Sequence, residues 1–147
     1  MGSAIVGAVA VLVGALAAGL AQWAVHLAGR RERRREAAGL AVAVLLEKAA
    51  RHRGEQYLKR VARRDHQLET PADRRARYQA RTEMTAASAH VVRAVPDAQL
   101  RRLARELVGY SLAVGDCDPA DLDVVGDQAR EAHDLLQDAM AQYLHRA

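Results

Sequence analysis

From Met1 to Gly29 no side chain is charged, and from Ala4 to Ala28 only Gln22, Trp23 and His26 interrupt a run of Ala, Ile, Val, Leu and Gly. At about 1.5 Å per residue the run makes roughly 37 Å of helix, enough to cross a hydrocarbon core with some tilt. Arg30, Arg31, Arg33, Arg34 and Arg35 follow at once. Arginines hold their flank of a span in the cytoplasm, so the N-terminus is expected outside and the rest of the chain inside. A cleaved signal peptide fits less well, because it carries its positive charge before the apolar stretch. The pattern predicts a transmembrane anchor over residues 1–29 and a cytoplasmic helical domain over 30–147.

Beyond the anchor, the hydrophobic positions recur at helical spacing throughout. The stretch Arg30 to Glu69 holds no proline and reads as a continuation of the anchor in one long helix. Leu46, Ala50, Tyr57, Val61 and Leu68 fall on one stripe of it, with Gly54 on the same face, and the run Ala37–Leu46, apolar nearly all round but too short to cross a membrane, is expected to pack against neighbours on more than one side. Thr70-Pro71-Ala72-Asp73 supplies an N-cap, a proline at the first helical position and a carboxylate facing the orphan amides. The second helix then runs to about Ala94 with Ala76, Ala80, Met84, Ala87, Val91 and Val95 inward, and Val95-Pro96 ends it. Asp97 opens a third helix whose Leu100, Leu103, Ala104, Leu107, Ser111 and Val114 share a face, with Gly115 as its predicted end. Asp118 and Pro119 repeat the cap logic for a last helix, where Leu122, Val125, Ala129, Ala132, Leu136, Ala139 and Tyr143 keep heptad spacing.

Short connections between helices favour antiparallel neighbours, so the fold class expected is all-α, an antiparallel bundle continuing from the anchor. This connectivity brings the first turn and the Gly115–Asp121 loop to the same, membrane-distal end. Arg60, Arg63, Arg64, Arg74, Arg75, Arg77 and Arg81 surround the first turn and Asp116, Asp118, Asp121, Asp123 and Asp127 the third, so pairs between them are expected within one bundle or between copies. Arg93, Arg101, Arg102 and Arg105 are expected at the turn facing the lipid headgroups.

Composition supports the helical reading, since aromatic residues make up 3% of the chain with no Phe, while Ala, Leu, Arg and Glu abound. Charge is uneven along the 147 residues: 1–105 carry a net +11 and 106–147 a net −7. Such asymmetry between halves points to an internal electrostatic partner or to separate partners for the two parts. Cys117 stands alone, so no internal disulfide is available, and its acidic sequence neighbourhood disfavours a thiolate.

Within the anchor, Gly7, Ala10, Gly14, Ala17 and Ala21 form a heptad seam of small residues that would let a second copy approach closely. A homo-oligomer is therefore expected.

Candidate chemistry is mostly excluded by spacing. The six histidines are scattered, with no Glu-x-x-His or His-Glu-x-x-His to aim two donors into one site. The aspartates at 116, 118, 121 and 123 lack the order of a calcium loop, and no phosphate-binding glycine loop occurs. No catalytic residue, metal site or cofactor is assigned. Arg63, Arg64, Arg74, Arg75 and Arg77 remain as candidate contacts for nucleic acid or another partner, because clustered guanidiniums can follow a phosphate backbone.

The uncharged start Ala4-Ile5-Val6-Gly7-Ala8-Val9-Ala10, the flank Gly29-Arg30-Arg31-Glu32-Arg33-Arg34-Arg35-Glu36 and the helical remainder with Arg81-Thr82-Glu83-Met84-Thr85 form a distinctive order. It resembles the small KilB-like membrane proteins of actinomycete plasmids and chromosomes, associated with intermycelial plasmid spread. The resemblance is one of layout, without a catalytic motif. It implies a non-enzymatic single-pass protein of the cell membrane whose cytoplasmic domain self-assembles or docks on a membrane protein complex. A membrane-tethered nucleic-acid binder using the arginine-rich turn is the alternative.

Overall fold

A computed structural model describes residues 2–145 and, from Gln22 onward, all side chains but that of Pro119. The described residues form four α-helices and no strand: α1 (Gly2–Arg64), α2 (Pro71–Ala94), α3 (Ala98–Asp116) and α4 (Leu122–His145), with a 3-10 turn at Pro119–Asp121 before α4. By packing, the chain divides into two units, Met1–Arg35 and Glu36–Ala147.

In the first unit, Arg30, Arg31, Arg33 and Arg34 are exposed and Arg35 is half-buried. The seam Gly7, Ala10, Gly14, Ala17 and Ala21, and most of the expected anchor with it, lies outside the described side chains. Among the described residues no helix is long and apolar enough to cross a membrane.

The second unit is a bundle whose core runs through all four helices. From α1 it takes Ala38, Ala41, Val42, Leu45 and Ala49; from α2, Met84, Ala87 and Val91. α3 buries Leu100, Leu103, Ala104, Leu107, Ser111 and Val114, and α4 buries Ala129, Ala132, Leu136 and Met140. Each fully buried leucine or valine contributes about 1.5–3 kcal/mol by leaving water. Neighbouring helices are antiparallel: Gly39 meets Met140 and Leu144, while Arg53 lies beside His133. Between α1 and α2, Glu83 takes Arg51 at 2.9 Å and Lys48 at 3.6 Å, and Gln79 donates to it at 2.8 Å.

α2 and α3 form as their sequences dictate. Thr70 and Asp73 make a reciprocal capping box at the start of α2, and the Asp97 carboxylate accepts from the Leu100 amide at 2.9 Å to start α3.

Four expectations are corrected. The inward face of α1 is not the stripe of large residues: Tyr57 is 63% exposed and Leu68 93%. The buried face instead reads Ala38, Ala41, Val42, Leu45, Ala49 and His52, because alanines let neighbouring helices come close where larger side chains would hold them apart. α1 stops at Arg64 rather than Glu69. There His66 adopts φ 52°, the Gln67 amide reaches back to Ala62 at 2.8 Å and the His66 amide to Arg63 at 3.2 Å. This is a Schellman ending with histidine in the position glycine usually fills.

Gly115 does not end α3, which continues through Asp116 with Cys117 as its cap. Its missing side chain serves packing: a Cβ there would lie 3.1 Å from the Gln56 carboxamide of α1. Asp118 stands at the N-cap of the 3-10 turn but makes no side-chain capping bond.

Candidate functional site

The α1–α2 turn and the end of α3 do come together. Arg60 of α1 donates to the Val114 carbonyl at 3.0 Å and the Cys117 carbonyl at 3.4 Å, closing the C-terminal end of α3 where free carbonyls gather. The same guanidinium lies 3.2 Å from the Cys117 Sγ, so the immediate neighbour of the thiol is a cation, not the acidic side chains beside it in sequence.

Next to this junction the two antiparallel helices form a cleft of about 290 Å³. α1 contributes Lys59 and Arg63, one helical turn apart; α2 contributes Arg74, Arg77 and Arg81, spaced to share a face. Five cationic side chains thus line one concavity against two carboxylates, Glu69 and Asp116. Glu69 is already engaged in an ion pair with Arg77. Tyr78, 71% exposed, forms part of the same wall, and Gly115 closes the far side.

The electrostatics of the cleft follow from this crowding. The Lys59 ammonium is held below its ordinary pKa by burial first and then by Arg63, Arg77 and Arg60, with Asp116 opposing. Like charges this close repel, and a bound anion would relieve them.

Of the five arginines singled out from the sequence, the structure brings Arg63, Arg74 and Arg77 into the cleft. Arg64 pairs with Asp65 at 2.9 Å, and Arg75 is exposed but does not line the cleft. Arg81, one of the arginines expected around the first turn, also lines it, following Arg74 and Arg77 on one face; Lys59 was missed, although it precedes Arg63 by four. Density of charge along the chain misled, since adjacent residues on a helix point about 100° apart. The expected pairing between first-turn arginines and third-turn aspartates is also corrected. Among the described residues Arg64 and Arg77 find Asp65 and Glu69 nearby, and Asp127 pairs with Arg130 of its own helix.

A second group of polar side chains sits inside the bundle. His52 is buried with neither ring nitrogen hydrogen-bonded, and the Ser111 hydroxyl is equally orphaned. Burial lowers the His52 pKa, and Arg81 and Arg53 add to that, against Asp116 and the Ser111 backbone. Beside it Arg53 approaches Nδ1 of His133 at 3.3 Å, which requires an unprotonated Nδ1. Burial, followed by Arg53, lowers the His133 pKa as well. Among the described residues no three His, Cys, Asp or Glu side chains gather into a metal-ligand set.

Comparison with protein-family models, with curated proteins and with solved structures returns no match.

Proposed function

We propose that the chain is a non-enzymatic single-pass protein of the cell membrane, anchored by residues 1–29, with residues 30–147 as a cytoplasmic domain that self-assembles or docks on a membrane complex. Plasmid spread is the setting that the KilB-like layout suggests. One observation carries this reading: twenty-nine residues without a charged side chain, followed at once by Arg30, Arg31, Arg33, Arg34 and Arg35. No aqueous domain gains from an uncharged stretch of that length, whereas a bilayer requires one.

The single cysteine offers a direct test. In intact cells, with the protein in the alkali-resistant membrane fraction, Cys117 should resist a membrane-impermeant maleimide, while cysteine placed by Ser3→Cys in a Cys117→Ser background should react. Recovery in the soluble fraction, or labelling of Cys117 from outside, overturns the reading. For assembly, bulky replacements at Gly14 and Ala17 should weaken self-association in a membrane two-hybrid assay.

A second reading, a membrane-tethered nucleic-acid binder, is favoured by the convergence of Arg63, Arg74 and Arg77 on one concave surface. It requires DNA retention that weakens with salt and disappears when Arg74 and Arg77 are replaced. Absence of retention at low salt removes it.

A further inference from the structure

The cleft between α1 and α2 is more specific than a basic surface. We infer that it binds a nucleoside di- or triphosphate, the phosphates held among Lys59, Arg63, Arg74, Arg77 and Arg81 and the base laid on Tyr78. The inference stands apart from the membrane anchor, since every residue in it belongs to the bundle.

Shape argues first. The cavity, about 290 Å³, approaches the size of small-molecule pockets and is concave. A nucleic-acid duplex engages several phosphates along an extended surface, more than one cavity of this size can hold. The arginines that would extend such a surface, Arg64 and Arg75, do not line the cleft.

Charge argues second. A purely solvated arginine surface spreads its cations apart, whereas here α1 and α2 bring theirs to one space, where burial first and then Arg63, Arg77 and Arg60 hold the Lys59 ammonium below its ordinary pKa. Within the cleft Glu69 is taken by Arg77 and Asp116 is the other carboxylate, while in the adjoining concavity Asp73 is held by its cap with Thr70 and Glu55 lies near Lys59 and Arg63. A polyphosphate supplies the missing negative charge, and planar guanidiniums match its oxygens two at a time. Lys59, one of two lysines in a chain otherwise reliant on arginine, adds a compact point charge of the kind that reaches between phosphates.

Tyr78 argues for a nucleoside over an inorganic phosphate. The residue is 71% exposed on the wall of the cleft, on the same helix as Arg74, Arg77 and Arg81, so its ring is open to a ligand whose phosphates those arginines hold. Stacking on an aromatic side chain accepts any base.

The test is isothermal titration of the full chain in detergent micelles with ADP, inorganic pyrophosphate, adenosine and an oligodeoxythymidine. ADP should bind saturably at one site per chain, and pyrophosphate more weakly. Adenosine should not bind. Lys59→Gln and Arg81→Gln should each weaken ADP by about tenfold, as loss of one charge-assisted contact implies. Lys59→Arg should retain binding, and Arg75→Gln should leave it unchanged. Tyr78→Ala should weaken ADP several-fold but spare pyrophosphate. Circular dichroism on each variant separates lost binding from lost folding. The inference is overturned by absent ADP binding in folded protein, by equal sensitivity to Arg75→Gln, or by Tyr78→Ala acting alike on ADP and pyrophosphate. Binding of oligodeoxythymidine that ADP does not displace overturns it in favour of nucleic acid.

Discussion

His66 pays for the turn between α1 and α2 with a left-handed backbone that disfavours a side chain by roughly 1–2 kcal/mol. His66→Gly should therefore stabilise the protein by about 0.5–1 kcal/mol, less than the whole penalty because glycine also gains freedom when unfolded. Thermal unfolding followed by circular dichroism measures it, and an unchanged or lower midpoint would show that His66 makes compensating contacts. The helix end was illegible in the sequence for this reason: without glycine, nothing at Asp65-His66-Gln67 signals a stop. His52 was equally hidden, since helical periodicity marks apolar positions and cannot announce a buried histidine. With its pKa lowered by burial and by Arg81, His52 stays neutral in the fold below the ordinary 6.5. Above that pH both states are neutral and the contribution is fully present. As pH falls through 6.5 the unfolded chain takes the proton first, so stability drops until pH passes the depressed folded value. His133 acts in the same sense. Urea unfolding should accordingly weaken from pH 7.5 to 5.5. His52→Leu should reduce that slope and add about 1 kcal/mol at pH 7.5 by removing unsatisfied polar atoms.

At the scale of elements, α2, α3 and α4 were largely readable because each start is marked by a capping residue or a proline and each inward face alternates with charge. All six residues assigned to the face of α3 are buried, and of the six assigned to the second helix Ala80, Met84, Ala87, Val91 and Val95 are buried while Ala76 is half-buried. In α1 the apolar run Ala37–Leu46 is buried at Ala38, Ala41, Val42 and Leu45, whereas the stripe beyond it was misread because apolar residues there are few, and Tyr57 and Leu68 among them stay exposed. The glycines of α1 and α3 separate two roles. Gly54 of α1 and Gly109 of α3 would meet nothing within 4 Å on gaining a Cβ, so each costs helix stability without return. Gly54→Ala and Gly109→Ala should each add about 0.5–1 kcal/mol. Gly115 lies 3.1 Å from Gln56 by the same measure, and Gly115→Ala should gain less or lose. In a Gln56→Ala background the obstacle is gone and Gly115→Ala should recover the full alanine advantage. A double-mutant cycle of unfolding free energies measures this coupling, and additivity within error would place the Gln56 carboxamide elsewhere in solution.

For the molecule as a whole, the connectivity followed from short loops and the clustering of the basic side chains followed from helical phase, while the anchor rests on the run of uncharged residues alone. The division at Arg35 and Glu36 makes a sharper demand. Among the described residues, every buried side chain lies from Ala38 onward, so the described hydrophobic core falls within residues 36–147. A chain of that size with a continuous core spanning four helices can fold alone. The fragment 36–147 should be soluble without detergent, strongly helical and cooperative in thermal unfolding. Leu107→Ala and Leu136→Ala, each removing a fully buried side chain, should cost it about 2–5 kcal/mol. A fragment that is helical yet melts without a sigmoidal transition would mean that packing within Glu36–Ala147 is insufficient, and that the bundle is built only as part of an assembly. Concentration dependence decides the remaining case: a midpoint that rises with fragment concentration would assign part of the stability to self-association within the bundle rather than to the small-residue seam at Gly7–Ala21.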